Sequence, residues 1–289
     1  SVFLMPSLAR MQNLIFLCAF LATNLIWALP NSLQQLCDAK PSSYQSCHRD
    51  LHTLSNAQLV LEKDGLFKLL RSESLPIDWE IDEWFALKND LMDRFIATTQ
   101  CIVALSDYNI SVLEDNTSHP IWRDYCLQKQ ADLIAAHPVP SQQCNKLIYL
   151  LNRFAHGKVP GLIGTALIGQ MRLIDVFQYE HPSLKDLGLR AYKVAQDDRA
   201  LVKDRMSALQ IAAHLGQGDQ VHTLVYKLLA ANQDIQSNTP AMLRASALAA
   251  LGLIGTNEDV TILQKYRQSA DIRLRAAARS ALIKIQNKS

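Results

Sequence analysis

Apolar residues recur at three- and four-residue intervals along most of this chain. No alternating apolar and polar stretch is long enough for a strand, so the pattern predicts an all-α protein. In the first half, Leu51–Arg71 reads as helix interrupted at Gly65 and stopped by Ser72–Pro76. The longest helix is expected over Asp78–Leu105, with Asp78 as its N-cap and Glu80 and Asp82 at the positive end of its dipole. Its apolar stripe is Ile81, Trp84, Phe85, Leu87, Leu91, Phe95 and Ile96. Trp122–Ala136 gives a further helix, ended by His137-Pro138-Val139-Pro140, and Cys144–Phe154 follows with the same spacing. In the second half, Pro160–Phe177 reads as an apolar helix with Pro160 in its first turn, and Leu184–Ala195 as the next.

Beyond residue 199 the pattern repeats itself. Arg205–Leu224 lies over Arg244–Leu263 at a spacing of 39 residues, matching at Arg205/Arg244, Ser207/Ser246, Ala208/Ala247, Leu209/Leu248, Gly216/Gly255, Val221/Val260 and Leu224/Leu263. A partial third copy, Leu274–Ile285, lies over Leu243–Ile254 at a spacing of 31. Such periodicity marks stacked helix pairs, because one pair cannot bury its apolar face alone. In each clear copy the first helix is expected to end at a left-handed glycine, Gly216 or Gly255. Asp219 or Glu258-Asp259 then opens the second helix at its positive end.

These residues resemble the HEAT-like repeats of α-solenoids, in particular the short variety shared with phycobilisome lyases. The likeness rests on Asp271–Ala278 with Ala281-Leu282, on Pro240–Gly255, and on Arg205 and Arg244 where the family carries its arginine. It covers about Arg199–Ile285, and Pro160–Gln196 more weakly. The stretched spacing implies an extra loop at Ala231–Thr239, and the partial last copy a capping helix. The first half resembles no family.

Composition changes near residue 156. Gly65 is the one glycine before it, nine follow, and every Trp and Cys precedes it. The expected organisation is therefore a signal peptide over 1–28, an irregular Cys/Trp-containing helical region over 29–156, and a HEAT-like solenoid over 157–289. The uncharged run Leu14–Ala28 is short for a membrane span, which needs about 20 apolar residues, and suits a signal-peptide core. An uncleaved anchor or a buried helix are its alternatives. The expectation is thus an exported chain, periplasmic or secreted, with no stable span once the signal is removed. Cysteine usage agrees with export: Cys37, Cys47, Cys101, Cys126 and Cys144 are disulfide candidates, and Cys37–Cys47 would close a short loop. Hydrophobic residues at 49% and charged ones at 19% describe a folded protein. A net charge of +2 without a Lys/Arg stripe argues against nucleic acid.

Chemical signatures are sparse. His48 and His52 in Cys47–His52 would share a face if that stretch is helical, but the H-E-x-x-H acid is missing and a fourth ligand is not apparent. A surface loop is the simpler reading, so no metal and no cofactor are expected. Some HEAT-like proteins are di-iron hydroxylases that use His-Glu pairs, and no His-Glu dipeptide occurs here. Phosphate-binding, dinucleotide and G-x-S-x-G motifs are absent too. What remains is a surface. The second helices would line a concave face with His222, Tyr226, Lys227, Lys265, Tyr266 and Arg267, suited to a peptide or an acidic protein. The expected function is a non-catalytic scaffold binding a partner protein in the cell envelope. The alternative, implied by the resemblance, is a bilin-lyase-like enzyme or chaperone with a small ligand in the groove.

Overall fold

The computed structural model describes residues 29–137, 141–157, 159–177, 184–230 and 240–288, and its described elements are all helices and turns. The run Leu14–Ala28, expected as a signal core, and the stretch Ala231–Thr239, expected as a loop, lie outside the described residues. No described helix is long and apolar enough to cross a membrane. Two compact units divide at Ser106–Asp107, and the compositional change near residue 156 falls inside the second.

The first unit is built from α1 (Asn31–Cys37), α2 (Tyr44–Thr53), α3 (Asn56–Leu61), α4 (Lys63–Arg71) and α5 (Ile81–Ile96). The segment expected as one helix over Leu51–Arg71 breaks at Ser55, whose side chain and Gln58 form a reciprocal cap that starts α3. Gly65 sits within α4 instead of interrupting it. The longest expected helix is also divided. Glu80 and Glu83 cap α5, while Asp78 lies ahead of it with a φ of +65°. The helix stops at Ile96, because Thr98 turns to extended backbone and its hydroxyl donates to Arg94 O at 2.9 Å. A short 3₁₀ turn, Thr99–Cys101, then leads into α6 (Ile102–Glu114). The unit's core gathers Leu33, Leu51, Leu59, Leu66, Leu91 and Met92 around Phe67 and Phe95, stacked at 4.6 Å.

The five cysteines of the described chain are free thiols. The expected Cys37–Cys47 bridge is not formed, since the two sulfurs face different neighbours. Cys37 donates to Gly65 O at 3.7 Å and Cys47 to Ser32 O at 3.5 Å. Burial, reinforced by Asp38 and Glu62, pushes the Cys37 thiol up to about 11, which leaves it protonated near neutral pH.

The second unit holds most of α6, then α7 (Pro120–Ala136), α8 (Ser141–Ala155), α9 (Ile163–Phe177), α10 (Leu184–Gln196), α11 (Val202–His214), α12 (Gly218–Ala230), α13 (Ala241–Ile254), α14 (Val260–Arg267) and α15 (Ile272–Gln286). From α7 onward the odd-numbered helices pack each on the next to form one layer. Each of α8, α10, α12 and α14 lies mainly against the helix that follows it. The stack thus reaches back well before Arg199. Small residues make this layer: Ala208, Ala212, Ala247, Ala250, Ala278 and Ala281 are all buried. At Gly252 the approach is closest, and an added Cβ would lie 2.9 Å from the Ala281 Cα of the neighbouring helix.

The aligned arginines do one job in two copies. Arg205 Nε donates to Ala195 O at 3.0 Å in the last turn of α10, and Arg275 Nη1 donates to Ser269 O at 2.7 Å just past α14. Each cation therefore sits at the negative end of the preceding second-layer helix. The two glycines, by contrast, differ. Gly216 takes the expected left-handed turn at φ +84°, whereas Gly255 is extended at φ −67°, so Thr256 and Asp259 can cap the next turn directly.

Gly252→Ala is expected to lower stability by about 1–3 kcal/mol, because the added methyl meets backbone that cannot rotate away. Gly218→Ala, with open space around its Cβ position, should be neutral or stabilising by up to about 1 kcal/mol. Chemical denaturation of the two variants checks the contrast, and equal behaviour would refute the close approach.

Candidate metal centre

Helix α2 sorts its residues by face. Ser43 caps its start through Ser46 N at 3.3 Å, and Cys47 and Leu51 point into the core. Asp50 turns the same way as α1, accepting from Ser32 Oγ at 2.6 Å. Tyr44, His48 and His52, spaced four apart, are left on one outer stripe. Their rings follow one another, with centroids 5.6 Å apart for Tyr44–His48 and 4.6 Å for His48–His52. Trp79 meets the Tyr44 ring edge-on at 5.4 Å and is itself fixed by Nε1 donating to Ser42 O at 2.7 Å.

Helix α5 supplies the third group. It packs on α2 and buries Trp84, Leu87, Leu91 and Phe95, which places Asp90 at the edge of the contact. Asp90 Oδ2 lies 3.0 Å from His48 Nε2 and 3.7 Å from His52 Nε2. One ligand atom from each of the three residues falls within 4.8 Å of the others. The side chains are 41%, 53% and 26% exposed for His48, His52 and Asp90, so an ion could enter from solvent. Two imidazoles and a carboxylate are a ligand set for Zn²⁺ and for other divalent first-row metals. Beside it, burial together with Asp90 and Glu83 raises the Tyr44 phenol, keeping its hydroxyl protonated. The expectation that His48 and His52 lie in a surface loop is thus corrected: they stand on a helix with a third group opposite. Their i, i+4 spacing was the available signal, and Asp90 carried none because only the packing of α5 brings it close.

The residues expected to line a partner face divide into those with bonds across the repeats and those free at the surface. Asp259 is buried to 1% and accepts at 2.8 Å from each of Thr256 N, His222 Nε2 and Tyr226 OH. Tyr266 OH donates to Leu229 O at 3.0 Å. His222, Tyr226 and Tyr266 thereby tie α12 to the following repeat, while Lys227, Lys265 and Arg267 are exposed. Burial alone would raise the Asp259 carboxyl, but the Thr256 amide, the Tyr226 hydroxyl and His222 outweigh it and hold it below the usual carboxylate range. Burial and the bond to Asp259 push Tyr226 up to about 12.

No family model matches the sequence, and no curated protein matches it. Among solved structures, human deoxyhypusine hydroxylase in complex with glycerol matches over 84% of this chain and 96% of that chain, at 16% identity and a TM-score of 0.26. The expectation of a non-catalytic scaffold finds no support in this match, which is to an enzyme. At that TM-score the likeness carries no argument about which residues act here.

The Asp259 carboxyl is depressed in the folded state, so its contribution is present above the unfolded carboxylate pKa of about 4 and is lost as pH falls through the folded value. Asp259→Asn should cost about 1–3 kcal/mol at neutral pH, because it leaves a buried donor facing the Thr256 amide or its neighbours. The variant should also show a shallower loss of melting temperature below pH 4 than the parent. Parallel acid profiles would refute the assignment.

Proposed function

We propose that this protein is a metalloprotein whose first unit holds one divalent transition-metal ion between α2 and α5. His48 Nε2, His52 Nε2 and Asp90 Oδ2 are the ligands. The observation that carries the reading is their convergence from two packed helices to within 4.8 Å. Three protein ligands leave coordination positions open to water or substrate, the pattern of catalytic rather than structural zinc sites. An ion held there would supply a Lewis acid and a more acidic bound water. The chain's own part is to bind and orient: α2 fixes the imidazoles four residues apart, and α5 brings in the carboxylate. Tyr44 offers a protonated hydroxyl beside the site, with Trp79 behind it.

Two further proposals concern the whole chain. Export is supported by the uncharged run Leu14–Ala28, and protein isolated from its native cell is expected to begin near Leu29. Mass spectrometry showing the run still attached would remove that reading. Membership of α11–α15 in the HEAT-like variety shared with phycobilisome lyases is supported by Asp271–Ala278 and by the common placement of Arg205 and Arg275.

Calorimetric titration of metal-stripped protein with Zn²⁺ is expected to show one saturable equivalent. His52→Ala and Asp90→Asn should each weaken it by more than the roughly 10- to 100-fold that outer-shell changes cost. Affinity should fall between pH 7.5 and pH 5, because imidazole must lose its proton to ligate. Absence of saturation, or unchanged affinity in both variants, would overturn the proposal.

A further inference from the structure

We infer that the second unit binds a small oxyanion, a carboxylate or a phosphate monoester, in the groove between α10 and the chain around Gly157 and Pro160. The groove encloses about 870 Å³. Its charges are unevenly satisfied, and that imbalance defines the ligand.

Three carboxylates line it, and two of them are engaged through their own oxygens. Asp204, fully buried, accepts from Gly161 N and Gly164 N at 2.8 Å each and so closes the start of α9. Asp197 accepts from the backbone amide of Arg199 at 3.0 Å and from its Nε at 3.1 Å, and these bonds hold its carboxyl below the ordinary range. Asp186 stands in the first turn of α10, where the helix dipole favours a negative charge, and it too has a partner.

Two cations are left over. Arg190 and Lys193, three apart on α10, share the face that borders the groove. Neither makes an ion pair or hydrogen bond among the described residues. Arg190 is half-buried, and its Nη1 is shielded from water without an acceptor. A shielded guanidinium nitrogen without an acceptor is costly. No bond among the described residues opposes its rotation into the groove, where an anion would satisfy it. A planar fork beside a compact ammonium suits an oxyanion with several acceptor oxygens. Leu189 and Val194 on the same helix add an apolar wall for a short carbon body.

The test uses the full chain after dialysis to remove metal, so that its result is separate from that of the His48 site. At constant ionic strength maintained with NaCl, sodium phosphate and sodium succinate are titrated separately while the amide and guanidinium NMR signals of α10 are followed. Saturable shifts are expected with at least one anion, and the arm that saturates assigns the source of the oxyanion. Lys193→Gln should weaken binding by about tenfold, Arg190→Gln should weaken it at least as much, and Lys284→Gln on α15 should leave it unchanged. Because Lys193 is exposed, its variant tests the site even if Arg190→Gln fails to fold. No saturation with either anion, or equal affinity in Lys193→Gln and parent, would overturn the inference.

Discussion

The structure depends above all on how closely its first-layer helices approach. Ala208, Ala247 and Ala278 are aligned or neighbouring positions in successive copies, all without exposed surface, and Gly252 lets α13 rest almost on the backbone of α15. Such contacts leave no room for a larger side chain, so the spacing of one helix fixes that of the next. The second-layer helices follow from this. Each lies in the groove above the helix after it, and Arg205 or Arg275 holds the C-terminal end of its predecessor. A stack specified this way needs little long-range information, because most of its packing is with the next one or two helices along the chain.

The first unit has no such repetition and is fixed by individual bonds between side chains and backbone. Lys88 Nζ donates to Ser72 O at 2.6 Å, Trp79 Nε1 to Ser42 O, and Arg94 Nη2 to Leu54 O. The donors come from α5 or from Trp79 two residues ahead of it, and the acceptors lie where other helices begin or end. Leu54 O and Ser42 O flank α2 on both sides, so these bonds set the height of α2 against α5. The register that brings His48 and His52 over Asp90 is a consequence. The site inherits its geometry from groups that never touch it.

This difference explains what the sequence made legible. The all-helical class and the pairing of helices after residue 199 could be read because apolar spacing and copy-to-copy identity are local signals. Over α9 and α10 that identity is weak, and the extension of the stack back to α7 and α8 is revealed only by packing. Ser55, Glu80 and Thr98 set helix ends through side-chain bonds to partners that compete with better-known cap residues such as Asp78. In the candidate centre, the His48/His52 pair was visible as a spacing, whereas Asp90 depends on a helix crossing. The tyrosines and histidine of α12 and α14 could be read as surface residues, but their bonds to Asp259 and Leu229 O, supplied by other helices, could not.

Two histidine–aspartate contacts of almost equal length show how environment separates a fold contact from a candidate metal site. Asp259 meets His222 at 2.8 Å and Asp90 meets His48 at 3.0 Å. Asp259 is 1% exposed and takes three hydrogen bonds from a backbone amide, a phenol and an imidazole, so it is closed to water and largely satisfied. An ion entering there would have to displace donors that hold two repeats together. Asp90 is 26% exposed and faces two imidazoles through the same oxygen, although each neutral imidazole needs its proton on Nε2 to donate there. Replacing both protons by one dication would satisfy both nitrogens and the carboxylate while leaving the core intact. The same residue types thus lock helices together where donors are abundant and water is excluded, and they favour a cation where donors must compete and the surface is open.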